Sequence, residues 1–147
     1  MKKKVKTEKV VEKTKTKKKR INSRTKGHTF ERDLVHIFKD FGFEHVKTSR
    51  YANRMLDDCK VDLCNIPLNL QAKIGYWNNR PKFEVIFKEM KAHLDSNFPP
   101  GEKQRDYPKV IFHKLDGKED EHFGITMMFK DWKVIYTNHL KYLDSLK

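Results

Sequence analysis

At 147 residues the chain has room for one domain with a real core and too little for two. An apolar fraction of 37% against a charged fraction of 36% describes a polar but foldable protein. No run approaches the roughly 18–20 apolar residues of a membrane span, and no charged-then-apolar start resembles a secretory signal, so a soluble intracellular protein is expected.

The net charge of +13 is unevenly spread. Residues 1–20 hold ten Lys and one Arg against Glu8 and Glu12, whereas 27–147 hold 20 basic and 18 acidic residues. A nearly neutral body thus follows a basic tail. Residues 1–22 are expected to be disordered when free, because Val5, Val10 and Val11 bury too little apolar surface to offset the ordering entropy. A Lys-rich arm releases counterions when it meets a polyanion and gains affinity with little sequence preference. Contact with nucleic acid is the favoured role of the tail; a solubilising arm, or a localisation signal around residues 17–20, is the alternative.

The body, 23–147, is read as one domain. From Gly27 the pattern turns helical: Phe30, Leu34, Ile37 and Phe41 recur at spacings of four, three and four, and Gly42 supplies the stop. GFEHVKTS alternates loosely, as a short strand does, and residues 50–58 read as a polar loop. Two apolar runs follow, 61–64 and 68–74, around Asn65-Ile66-Pro67, a spacing that suits a β-hairpin. Pro81 fits the first turn of a second helix with Phe83, Ile86, Phe87, Met90 and Leu94 on one face, ended by Pro99-Pro100-Gly101. Residues 109–114 and 123–130 read as two strands across an acidic turn, 116–121. Asp131 is the expected N-cap of a last helix carrying Trp132, Ile135, Tyr136, His139, Leu143 and Leu146. The predicted order is α-β-β-β-α-β-β-α, an α/β fold with one mixed sheet flanked by helices.

Chemistry concentrates in the hairpin. Residues two apart on a strand share a face, so Gln71 and Lys73 project together while Ala72 points away, and the partner strand brings Asp62 alongside. Each has an ordinary explanation as a turn acid or a solvent-facing strand residue. Yet Val61, Leu63, Leu70, Ala72 and Ile74 make the segment look buried, and charges in such segments are paired, metal-bound or at a pocket. Hard divalent cations such as Mg²⁺ take oxygen ligands, one or two carboxylates among them. Glu31 sits at the margin of the first helix's apolar face. It is either a first-turn acid favoured by the helix dipole or a further site carboxylate. A capping box fails, since His28 stands three residues before it. Cys59 and Cys64 lack a second ligand pair for zinc and read as reduced, packed cysteines. His93, His113, His122 and His139 show no ligand spacing.

Glu31 on an opening helix after Lys26-Gly27, then Asp62, then Gln71-Ala72-Lys73, resembles the PD-(D/E)xK nuclease superfamily. KGHTFERDLVHIFKDFGFEHVKTSR is similar to the archaeal-type Holliday-junction resolvases and Mrr-like restriction nucleases, and LDDCKVDLCNIPLNLQAK resembles small phage-encoded members. The likeness spans roughly residues 24–113. It implies a restriction-endonuclease-like fold and a Mg²⁺- or Mn²⁺-dependent endonuclease that hydrolyses phosphodiesters in branched or junction DNA as a homodimer. The expected location is the cytoplasm of a bacterial or phage-infected cell. Asp62 would be the metal-binding acid, Gln71 the occupant of the second acidic position, Lys73 the catalytic lysine and Glu31 the helix carboxylate, with the backbone carbonyl of Ala72 completing the coordination. Gln71 departs from the Glu of most members and leaves one fewer negative ligand; Asp57 and Asp58 lie close by and could compensate. Lys26, Arg50, Arg54, Lys60 and Arg80 are candidate phosphate contacts, with Tyr76 and Trp77 packing on a base or sugar. The rivals are an Mrr-like restriction nuclease, which needs a separate reading domain, and a non-catalytic basic nucleic-acid-binding protein on a degenerate nuclease fold.

Overall fold

Helix α1 spans Ser23–Asp40 and begins a full turn before its apolar stripe does. Asn22 caps it, its side-chain oxygen accepting the N–H of Arg24 at 3.1 Å. The computed structural model describes residues 22–75, 81–115 and 123–147. The basic tail, the acidic turn, Tyr76, Trp77, Arg80 and His122 all lie outside the described residues.

Because α1 starts at Ser23, Glu31 lies in its third turn, and the first turn holds no acid. The helix-dipole explanation for Glu31 therefore fails. Phe30, Leu34 and Phe38 form the buried stripe; Phe41 falls beyond the last turn and is 69% exposed. Gly42 takes φ 98°, a conformation that releases the chain from the helix without a Cβ penalty.

Residues 50–58, expected as a loop, are mostly helical. α2 (Ser49–Ala52) and α3 (Arg54–Asp58) are single turns separated by Asn53. Asn53 caps the second, accepting the N–H of Leu56 at 3.2 Å. Leu56 is thereby driven inward to join Cys59, Val61 and Cys64 in a small core with Met90, Leu94 and Phe98. Both cysteines are free and buried, as packed cysteines should be.

The strands differ from the expected single sheet. β1 (Lys47–Thr48) pairs antiparallel with β2 (Leu63–Cys64), making a separate two-stranded sheet. β3 (Asn69–Gly75) pairs in parallel with β4 (Lys109–Leu115), which pairs antiparallel with β5 (Gly124–Met127). The anticipated hairpin between residues 61–64 and 68–74 is thus not a ladder. The two runs are joined instead by the Asp62 N–H, which donates to the carbonyl of Leu70 at 2.8 Å. Among the described residues the protein is a mixed α/β fold with two small sheets, of which the second is itself mixed.

Parallel pairing of β3 with β4 demands a crossover, and α4 (Phe83–Asn97) supplies it. Lys82 is its N-cap, so Pro81, expected in the first turn, lies just before the helix, and the buried face is Phe87, Met90 and Leu94. A one-turn helix, α5 (Lys103–Asp106), leads into β4, tied back to α4 by Arg105 Nε on Asp95 at 2.9 Å. β3 is indexed at its start by Asn69, which is wholly buried. Asn69 donates from Nδ2 to the carbonyls of Gln104 (2.8 Å) and Tyr107 (3.1 Å) and accepts the Gln104 side chain at 2.8 Å. Its backbone N–H reaches the carbonyl of Pro108 at 2.8 Å. Three hydrogen bonds satisfy a side chain whose burial would otherwise be costly.

The main core lies between α1 and the sheets: Phe30, Leu34 and Phe38 meet Val46, Leu63, Ile66, Leu70 and Val110. The last helix, α6 (Phe129–Ser145), is capped by Met128 without a side-chain bond. Asp131, expected as the N-cap, sits one turn inside and is the one buried residue of α6. Among the described residues no helix is long and apolar enough to cross a membrane.

Candidate functional site

Strand alternation divides β3 into two sets. Leu70, Ala72 and Ile74 pack with the α1 core, so Gln71 and Lys73 project from the opposite face. Asp62 stands beside them, fixed by its backbone at both ends: its N–H donates to Leu70, and its carbonyl accepts the N–H of Ser49 at 2.8 Å. Its carboxylate Oδ2 accepts the backbone N–H of Ala72 at 2.6 Å. An N–H and C=O of one strand residue point to the same side. The Ala72 carbonyl therefore lies on the same edge of β3 as the N–H that reaches Asp62.

Burial is the chief influence on Asp62 and pushes its carboxyl up to about 7. The Ala72 N–H pulls it down, Glu31 raises it, Lys73 lowers it and Asp57 raises it further. The same influences bind Glu31 to the group. Burial raises Glu31, opposed by Arg50 and then His28; Asp57 raises it and Lys73 lowers it. Glu31, Asp57, Asp62 and Lys73 thus form one electrostatic cluster, drawn from α1, α3, the segment before β2, and β3. Gln71 is 7% exposed, and its Oε1 has no hydrogen-bond partner. A buried amide oxygen without a donor is costly, and such an atom commonly marks a place where something else binds.

The candidate phosphate contacts separate. Arg50 on α2 turns inward: its Nη2 lies 3.6 Å from Glu31 Oε1, and its Nη1 donates to Nε2 of His28. Its role is therefore within the cluster, not as an outward-reaching arm. Arg54 on α3 and Lys60 are exposed, and Lys60 holds φ 65°, turning the chain toward Asp62. Lys26 stands in the first turns of α1. Trp77 and Arg80, with Tyr76, fall outside the described residues.

Two members of the cluster were not anticipated from sequence. His28 lies three residues before Glu31, a spacing that puts both on one helix face and was a signal available in the sequence. Ser49 is fully buried beside Asp62, and its Oγ lacks a partner. Nothing in the local pattern marked it, since its position depends on the long-range bond to Asp62.

Among the described residues no group of three or more His, Cys, Asp or Glu is placed to hold a metal ion. The oxygen donors on and beside β3 are the Gln71 amide and the Asp62 carboxylate, with Glu31 engaged by Arg50. One or two carboxylates with waters suffice for Mg²⁺. An unpartnered Gln71 oxygen and a carboxyl raised by burial are compatible with that donor set. Comparison with known protein families, with curated proteins and with solved structures returns no match.

Proposed function

We propose that the chain is a metal-dependent DNA endonuclease of restriction-endonuclease-like fold, acting on branched or junction DNA. The observation that carries this reading is the convergence on Asp62. A half-buried carboxyl with a raised pKa is bonded to the middle of β3, the strand that carries a lysine and an unsatisfied amide oxygen on either side of that bond. The resemblance to the Holliday-junction resolvases supports the same assignment and brings with it the expectation of a homodimer.

When bound, Mg²⁺ or Mn²⁺ would supply Lewis acidity and a water acidified for attack on phosphorus. Asp62 and Gln71 would hold the cation, with Glu31 as a third oxygen donor once released by Arg50. Lys73 projects beside Gln71 and would donate hydrogen bonds to the phosphate oxygens as charge builds on them.

A direct test presents the full chain, with Mg²⁺ or Mn²⁺, with a four-way junction, a linear duplex and a single strand. Junction cleavage exceeding that of the duplex is expected. Asp62→Ala and Lys73→Ala should each lose on the order of 100-fold or more in rate while still binding DNA. Sequence-dependent cutting of linear duplex would point to the restriction-type enzyme instead.

One observation favours a second reading. With Glu31 neutralised by Arg50 and no three-residue ligand group among the described residues, a nucleic-acid-binding protein that does not cleave also fits. Tight binding without cleavage of any of the three substrates would establish it.

A further inference from the structure

We propose that the solvent-facing side of α6, continued by the outer edge of β5, is the surface through which two copies of this chain pair about a twofold axis. Phe129, Trp132, Tyr136, Leu140, Leu143 and Leu146 recur at spacings of three and four and lie along one stripe of the helix. They are not buried: Phe129 is 74% exposed, Trp132 44% and Tyr136 45%. The helix meets the body only lightly, through its other side, where every residue but Asp131 stays exposed, Val134 at 50%. There Asp131 is buried, and Val134 and Asn138 line a hollow with Pro67, Leu68 and Pro108.

The exposed stripe is ordered as an interface is. Phe129 stacks on Trp132 with ring centroids 5.7 Å apart, and Trp132 stacks on Tyr136 at 4.8 Å and 11°. Trp132 and Phe129 share a shallow hollow with Ile125, Thr126 and Met127, so the stripe runs on without a break to β5. β5 is the end strand of its sheet, with only β4 beside it among the described residues. Such an edge presents backbone donors and acceptors to an incoming strand.

Area and charge select a second copy as the occupant. With aromatic side chains of ~150–250 Å² each, the stripe and Ile125 leave on the order of 800 Å² open to water. That matches the ~800 Å² each partner contributes to a standard interface, and exceeds what a free monomer usually exposes in one patch. The stripe carries no Lys, Arg, Asp or Glu, which excludes a polyanion as its ligand. Its flank is self-complementary. Lys133 and Asp144 lie eleven residues apart, just over three whole turns, and so share one side of the stripe at opposite ends. When two such helices run antiparallel, Lys133 of each copy meets Asp144 of the other, and Tyr136 of each meets Leu140. In the free chain Asp144 is engaged by Lys147 at 2.8 Å on the surface, a contact easily exchanged. A twofold pairing with these properties is closed and stops at two. It requires nothing of the nuclease reading.

Sedimentation of the full chain at micromolar concentration tests it. The expected mass is twice 17.7 kDa. Trp132→Asp with Leu143→Asp should halve that mass while the far-ultraviolet spectrum is kept, since both positions are exposed. Lys133→Glu should weaken pairing about 2–10-fold, and Lys133→Glu with Asp144→Lys should restore it. Hydrogen exchange on the unaltered chain gives a reading independent of any variant: protection of α6 amides should rise with protein concentration. A wild-type monomer, a dimer that survives the double Asp change, or α6 exchange that ignores concentration would each overturn the proposal. So would a monomer that pairs only with a different protein.

Discussion

The backbone N–H of Ala72 donates to Oδ2 of Asp62 at 2.6 Å, and that bond ties the chain before β2 to the strand bearing Gln71 and Lys73. It links two short segments that share no continuous ladder. The acid is therefore positioned by one hydrogen bond from the middle of β3 and two backbone bonds at its own residue.

The raised carboxyl of Asp62 makes stability depend on pH in a defined direction. Its folded value of about 7 lies above the ordinary 3.8, so the folded chain keeps a proton that the unfolded chain releases. Stability from this group is complete below the unfolded value and is lost as pH rises through about 7. Asp62→Asn removes that loss. Urea unfolding should show the variant gaining on wild type by on the order of 2–4 kcal/mol between about pH 4 and pH 8. Parallel pH profiles for the two proteins would show that Asp62 is not held in this way.

Arg50 competes for the oxygen that a cation would use. Removing it in Arg50→Ala frees Glu31 and takes a positive charge from the cluster. Calorimetric titration with Mn²⁺ should then give affinity about 3–10-fold tighter than wild type. Weaker binding in the variant would mean that Arg50 supports the ligands and does not oppose them.

Gln71→Glu tests the donor set from the other side. A second carboxylate beside Asp62 adds like-charge repulsion in a buried setting, so the metal-free protein should lose about 1–3 kcal/mol. Saturating Mg²⁺ should recover that loss, seen as a larger metal-induced rise in melting temperature than wild type shows. No difference between the two rises would place Gln71 away from any cation.

The basic tail is tested by salt. Deleting residues 1–20 removes ten Lys and one Arg. The slope of log K for DNA against log salt should become shallower, because fewer counterions are released. An unchanged slope would assign DNA contact to the body alone.

Local signals in the sequence were reliable where one element decided the outcome. Phe30 and Leu34 at helical spacing are buried, and the free cysteines are packed. The mixed α/β class was legible for the same reason. Pairing was not, because β1 meets β2 only through contacts distant in sequence, and a hairpin is the default for neighbouring runs. The one-turn helices α2 and α3 were masked by polar composition, although Asn53 carried a cap signal. Glu31, Asp62, Gln71 and Lys73 could be singled out from residue type and burial pattern. The inward turn of Arg50 onto Glu31 could not, since it joins residues nineteen positions apart. α6 shows a different limit: periodicity reveals that a helix has an apolar face, but not whether its own chain covers it.

Asn69 gives the candidate site a fixed origin. Because the strand is pinned at its first residue, Gln71 and Lys73 are counted off from a locked end. Lengthening the chain between Gly75 and Pro81 leaves the count unchanged. One residue added between Gln104 and Pro108 would move the anchor itself and shift Gln71 and Lys73 together.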